Sequence, residues 1–345
     1  MNKLEKILTD DALLVNKKVD LKSLSGKDII ITGASGLIGI NLLMSLRVFS
    51  EKSGKKKPPH ITAVFHNDIP EYLKEVLMFK TLSIRNGDVT DEKFITSLPA
   101  ADFIVHAAGY AQPGKFMQDE VKTIAVNTTA TVSLLKKLKP NGKFLFVSSS
   151  EVYSGLPNPP YKESQIGITN TTHPRACYIE GKRCGEAICH AYYKQGVEAR
   201  SVRLSLAYGP GTRKGDARAL SSFIEKGMSG KIEMMDHGKA KRTYCYISDA
   251  VEIMWGVLLQ GTKPIYNVGG FSVITIVGLA KRIAKIMNAK VIVPKYAKQL
   301  PGAPANVRLD MTSVATEFKK TKKDYENLNV GLRNTIEWQK EISQR

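Results

Sequence analysis

The chain is short of the residues from which several kinds of protein are built. It has four cysteines in 345 residues and no Cys-x-x-Cys pair, which argues against a metal site or a disulfide-stapled fold. Cys177, Cys184 and Cys189 fall on one predicted helix; with Cys245 they are expected to be reduced and mostly buried thiols. Cys177 adjoins Tyr178, but no histidine stands at a spacing that would make it a catalytic nucleophile. No metal is expected. No apolar run reaches the length of a membrane span, and Met1 to Asp20 mixes acids and lysines through its apolar positions where a secretion signal would have an unbroken apolar stretch. A cytoplasmic protein with no membrane partner is expected. Internal repeats and low-complexity tracts are also missing.

Acidic residues are in deficit: 51 Lys and Arg face 32 Asp and Glu, a formal charge of +19. Such a surface suits nucleic acid, an anionic membrane or an anionic small ligand. The lysines are spread along the chain, and the clusters Lys55-Lys56-Lys57 and Lys319 to Lys323 lack the interleaved aromatics of a single-strand groove. No nucleic-acid partner is therefore expected, while the positive field would attract a diphosphate. With 43% hydrophobic and 24% charged residues, the chain has an ordinary globular composition and can bury one large core or two modest ones.

What is present is a strand, a glycine turn and a helix in close order. Asp28-Ile29-Ile30-Ile31-Thr32 is apolar and β-branched, Gly33-Ala34-Ser35-Gly36-Leu37-Ile38-Gly39 follows, and Leu37 to Val48 has helical periodicity. Further strands are predicted at Ile61–Phe65, Leu82–Ile84, Phe103–His106, Lys143–Val147 and Ala199–Leu206, separated by helices such as Lys122–Leu138 and Tyr178–Lys194. That alternation implies an α/β, Rossmann-type doubly wound parallel sheet. The stretch Ser50 to His60 reads as an exposed loop insertion. Three segments are expected: an extension over residues 1–26 packed on the surface, a dinucleotide-binding domain over 27–200, and a smaller C-terminal α/β substrate domain over 201–345, interleaved with the first.

Gly33, Gly36 and Gly39 have the spacing of a phosphate-binding turn, with the helix N-terminus opening beneath a pyrophosphate. Asp68, in Phe65-His66-Asn67-Asp68, is the candidate for the adenosine ribose, and it competes with a plain loop aspartate. No arginine replaces that acid to meet a 2′-phosphate, so NAD is preferred over NADP. Tyr178 and Lys182 share one helix face, where an ammonium beneath the phenol would favour its ionised form. A phenol of lowered pKa could take a proton from a sugar hydroxyl while hydride leaves the same carbon. The run Ser148-Ser149-Ser150 ends a strand about 30 residues earlier.

These segments, with Gly87-Asp88-Val89, His106-Ala107-Ala108-Gly109, Val126-Asn127, Tyr208-Gly209-Pro210, Arg242 and Asn267-Val268-Gly269-Gly270, resemble the extended short-chain dehydrogenase/reductases of the nucleotide-sugar epimerase, dehydratase and decarboxylase branch. The resemblance implies an NAD-dependent enzyme acting on a nucleotide sugar. It places Ser35, Leu37, Ile38, Asp88, Val89, Ala107, Ala108 and Gly109 along the cofactor, and Asn127 as a structural helix residue. It makes Ser149, Glu151, Tyr178 and Lys182 catalytic, and brings Ser150 and Arg242 to the substrate. Pro174-Arg175-Ala176-Cys177-Tyr178-Ile179-Glu180-Gly181-Lys182-Arg183 looks closest to the UDP-glucuronate decarboxylases. A 4-epimerase or 4,6-dehydratase is the alternative, and a non-catalytic dinucleotide-binding protein the remote one. Leu206 stands where the family usually has an asparagine, and Ser154 where it usually has a glycine. The family also implies a homodimer through the helices Lys115–Leu138 and Tyr178–Lys194.

Overall fold

The computed structural model describes residues 2–52, 57–296 and 306–345. Helix α1 (Lys3–Lys18) precedes β1 (Asp28–Thr32). There follow α2 (Leu37–Lys52), β2 (His60–Phe65), α3 (Glu71–Leu77), β3 (Leu82–Asn86), α4 (Glu92–Thr96) and β4 (Ala101–His106). Three short helices, α5 (Pro113–Phe116), α6 (Glu120–Asn127) and α7 (Thr129–Leu135), lead to β5 (Leu138–Ser149), the long α8 (Ala176–Lys194) and β6 (Glu198–Leu204). The rest comprises β7 (Ala207–Tyr208), α9 (Ala219–Met228), β8 (Lys231–Glu233), β9 (Lys241–Tyr246), α10 (Ile247–Gln260), β10 (Ile265–Val268), β11 (Ser272–Thr275), α11 (Ile276–Met287), β12 (Lys290–Ile292), β13 (Asn306–Val307), α12 (Thr312–Glu317) and α13 (Leu328–Ser343).

Seven strands pair in parallel in the order β10-β6-β5-β4-β1-β2-β3. Parallel neighbours need crossover helices, so both sheet faces are covered and successive side chains enter opposite cores. Ile30, Ile104, Phe144 and Phe146 join a core with Val126, Leu134 and Cys189. Ile29, Ile31, Val105, Leu145 and Val202 enter the larger core beneath α2 and α10. This is the doubly wound architecture expected from the alternation. The C-terminal edge strand β10 comes from beyond residue 201, while β9, β11 and β13, with β7 alongside β9, build a small separate sheet.

In the N-terminal extension α1 lays one face on the fold, burying Leu4, Leu8, Asp11, Ala12 and Val15 against α2, α10 and α13. Each large apolar side chain so buried contributes about 1.5–3 kcal/mol. The helix expected over Lys122–Leu138 breaks at Thr128, and Leu138 already belongs to β5. The Thr128 and Thr129 hydroxyls donate to the carbonyls of Ile124 and Ala125 at 2.9 and 3.0 Å, the back-bonding that bends helices. The strand expected over Ala199–Leu206 stops at Leu204, because Leu206 takes a positive φ of 38° and turns the chain into β7. Of the loop expected over Ser50–His60, α2 takes Ser50 to Lys52 and β2 takes His60, and residues 53–56, with Lys55 and Lys56, lie outside the described residues.

Candidate active site

The glycine turn joins β1 to α2. Gly33 has φ +67°, and a Cβ there would lie 2.4 Å from the Ala107 carbonyl oxygen, so only glycine lets β1 pass this close to the end of β4. Around Gly36 the space is open: a Cβ would meet only the Gly33 carbonyl, at 3.2 Å. Above it the first-turn amides of α2 have no intrahelical acceptors and carry the positive end of the helix dipole. A concave, backbone-lined cradle of that polarity fits a dinucleotide pyrophosphate. Arg213 closes one side, donating from Nε to the Ser35 carbonyl at 2.9 Å, and Asn41 holds the same segment through the Pro210 carbonyl at 2.8 Å.

The other cofactor candidates line the C-terminal edge of the sheet. Asp88, after β3, accepts from the Thr90 amide and hydroxyl and pairs with Lys122 at 2.6 Å. Burial alone would raise its carboxyl, but the Lys122 and Thr90 contacts win and hold it at about 2. Val89 is buried beside it. Ala107, Ala108 and Gly109 follow β4; the Ala108 amide donates to the Thr32 hydroxyl, and a Cβ on Gly109 would sit 3.8 Å from Lys182 Nζ. His106 lies under this loop, bonded to Thr32 and to the Val126 carbonyl, and burial lowers its imidazole to about 4, which keeps it neutral. Asp68 lies exposed in the chain between β2 and α3, beyond the C-terminal end of β2 and so at the same edge of the sheet.

Ser149, Glu151, Tyr178 and Lys182 come together where β5 ends against α8. Ser149 Oγ accepts from the Glu151 amide at 3.2 Å as Ser150 opens a short 3-10 turn. Tyr178 stacks on Phe116 with ring centroids 4.7 Å apart. Lys182 Nζ donates to the Val147 carbonyl at 2.7 Å and lies 5.8 Å from the Tyr178 ring centroid. The expected lowering of the phenol is not what the fold produces. Burial pushes Tyr178 up to about 12 against the pull of Ser149, Arg175 and Arg218, and pushes the Lys182 amine down to about 7. Both groups are out of water, so each favours its neutral form.

Residues that sequence patterning passed over complete the cluster. Arg175, three residues before Tyr178, pairs with Glu151 at 2.8 Å and sits 5.8 Å over the Phe116 ring. It stood inside the motif quoted for the family, but nothing local distinguishes it from a surface arginine; Phe116 carries no sequence signal at all. Arg218, itself paired with Asp216, acts on the Tyr178 phenol. Arg242, which the sequence did single out, lies on β9, donates to the Lys241 carbonyl and feels both Glu151 and Arg175. The result is a buried phenol and amine, both favouring the neutral form, with several guanidinium groups around the phenol and a carboxylate already held by one of them.

Residues 29–269 match the NAD dependent epimerase/dehydratase family. Among curated relatives, UDP-glucuronic acid decarboxylase 1 of Xenopus tropicalis is 30% identical over 293 residues, 83% of this chain and 67% of that protein. Among solved structures, UDP-glucose 4-epimerase of Thermotoga maritima, with UDP-glucose, superposes with a TM-score of 0.77 at 20% identity, covering 92% of this chain and 99% of that one. UDP-glucuronic acid 4-epimerase of Bacillus cereus, in complex with UDP-glucuronic acid and NAD, gives 0.75 at 21% identity, with 91% and 99% covered. The two structures are alike in fold.

Proposed function

Because the chain belongs to the NAD-dependent epimerase/dehydratase family, whose members modify sugar nucleotides, we propose that it is a UDP-glucuronate decarboxylase. In this reading the turn Gly33–Gly39, Asp88 with Val89, the loop Ala107–Gly109 and Lys182 hold NAD, with Asp68 reaching the adenosine ribose. Bound NAD supplies the acceptor, and later the donor, of hydride at the sugar C4. Tyr178, neutral at rest, acts as the phenolate once its own proton has passed to solvent: it then takes the C4 hydroxyl proton, and Ser149 donates a hydrogen bond to O4 as it becomes a carbonyl. The 4-keto sugar then carries its carboxylate β to the ketone. The C5–C6 bond breaks, CO2 departs with its electrons delocalised into the carbonyl, and Glu151 relays a proton back to C5. Ser150 orients the sugar, and Arg242 holds the diphosphate.

The observation that carries this reading is Arg175. It places a guanidinium, already engaged with a carboxylate, beside the Ser149 and Tyr178 pair. A uronate needs such a cation next to the reacting carbon, whereas a neutral hexose does not. The test is incubation with NAD⁺ and UDP-glucuronate, read by product mass. Loss of CO2 supports the assignment. An isomer of unchanged mass would make the protein an epimerase, and loss of water from a neutral nucleotide sugar would make it a dehydratase.

The same reading includes a homodimer through α6 and α8. Val121 and Ile124 on α6 are 79% and 43% exposed, and Cys184, Ala187 and Ala191 form an exposed stripe along α8. Two such helix pairs would cover each other across a twofold axis. Light scattering that reports a monomer in dilute solution would remove this part.

A further inference from the structure

Glu186 lies one turn beyond Lys182 on α8, almost out of water at 4% exposure, and takes no part in the chemistry above. Arg203 of β6, equally buried, grips it with two nitrogens along one edge, Nε at 2.9 and 3.1 Å and Nη2 at 2.7 Å. The Ser148 hydroxyl donates to the same carboxylate. Arg203 Nη1 reaches on to the Tyr153 hydroxyl at 2.9 Å and to the carbonyls of Glu163 and Gln165 at 3.0 Å. Tyr153 in turn donates to Asn267 at 2.7 Å, and Asn267 holds the Tyr161 and Asp310 carbonyls.

One carboxylate thus stands at the junction of three parts: the strand end that carries Ser149, the helix that carries Tyr178 and Lys182, and the segment 153–167 beside them. We propose that Glu186 is a positioning residue of the reaction, locking the end of β5 to α8 and, through Arg203, both to the segment 153–167. The proposal rests on the assigned roles of Ser149, Tyr178 and Lys182 but not on which nucleotide sugar is turned over. Its physical basis is that an ion pair held at this many points cannot slide, so the distance from Ser149 to Tyr178 is set by side chains that never touch the substrate. Glu186 is also the charge that works against burial at the Lys182 amine.

Two variants test it. Glu186→Gln leaves Arg203 buried without its counter-charge and can lose stability for that reason alone. Ser148→Ala removes only the link to β5 and keeps the ion pair. Ser148→Ala should lower kcat about fivefold, with KM and NAD affinity within about twofold of wild type and an unchanged melting temperature. In Glu186→Gln, ¹⁵N NMR of lysine side chains, with Lys182 assigned by its loss in Lys182→Met, should show the amine titrating about half a unit or more lower. The alkaline limb of the kcat profile should move the same way. The NMR titration needs no turnover, and kcat is compared on whichever nucleotide sugar the wild type consumes. A failed decarboxylase assignment therefore appears in the wild-type product, and a failed positioning role appears in the variants. If Ser148→Ala keeps wild-type kcat and the Lys182 titration is unmoved in Glu186→Gln, Glu186 is a fold-stabilising residue only and the proposal is wrong.

Discussion

Glu186 on α8 and Asp11 on α1 both lie almost wholly out of water, and the fold treats them differently. Glu186, beside the candidate active site, is met by two nitrogens of a guanidinium and by a serine hydroxyl. Asp11, on α1, is 3% exposed and is met by the Tyr246 phenol, at 3.0 and 2.8 Å. The cations nearby are committed elsewhere: Lys18 and Lys320 pair with Asp249 and Glu252. Burial, with Glu326, Asp10 and Asp249 adding repulsion, pushes the Asp11 carboxyl up to about 7 against the pull of the Tyr246 hydroxyl. A buried acid given a guanidinium can hold a rigid charged junction; one given a hydroxyl becomes a proton site. The first region is organised for chemistry, and the second fastens the N-terminal helix to the C-terminal half. Changes at Tyr178 and the side chains around it should alter activity more than stability, and changes in the second the reverse.

The sharpest break of that contrast would come at Tyr178. Tyr178→Phe keeps the stacking on Phe116 and removes the ionisable oxygen, so turnover should fall at least about a hundredfold while NAD binding and melting temperature stay as in wild type. A melting temperature that drops with the activity would show that the reacting region is also holding up the fold.

Gly36→Asp puts a side chain and a negative charge into the open cradle above α2, and calorimetry should show NAD affinity reduced by about thirtyfold or more. Unchanged affinity would move the pyrophosphate elsewhere. Arg175→Ala should lower kcat/KM for the nucleotide uronate by about tenfold, as expected for one charge-assisted contact, while thermal stability hardly changes. An equal loss with a neutral nucleotide sugar would mean that Arg175 does not recognise a carboxylate.

The smallest effect on activity is expected at Asp11, and it is read in stability. Its native pKa of about 7 lies above the ordinary 3.8, so between those pH values the folded chain keeps a proton that the unfolded chain has released. The stability it contributes is fully present below about pH 4 and is lost as pH rises through about 7, at roughly 1.4 kcal/mol per pH unit in between. Asp11→Asn should flatten that part of the stability curve and leave kcat within about twofold at any one pH. Denaturant melts of both proteins across this range decide it. A parallel pair of curves would show that Asp11 does not titrate there.

Legibility followed the range of the forces involved. β1 runs over the residues that its β-branched stretch marks, and α2 begins at the residue where helical periodicity begins, because chain propensity and the glycine turn act within a few residues of each other. Tyr178 and Lys182 could be paired because helix geometry alone puts them on one face. The break at Thr128 was hidden, since threonine hydroxyls bond back to the helix only once the helix exists. In the first 26 residues the amphipathic pattern of a helix says that one face is buried but not against what.

By itself the sequence determined the parallel α/β order, the glycine turn between β1 and α2, and the placing of Tyr178 and Lys182 on one helix face, all of which depend on period, glycine and short spacing. Only the tertiary structure decided that Lys182 donates a hydrogen bond to the Val147 carbonyl, that Arg175 reaches Glu151 across 24 residues, and that Glu186 meets an arginine from strand β6. It also decided which buried groups keep their charge. Desolvation and ion pairing depend on what surrounds a side chain in three dimensions, and no spacing along the chain carries that information.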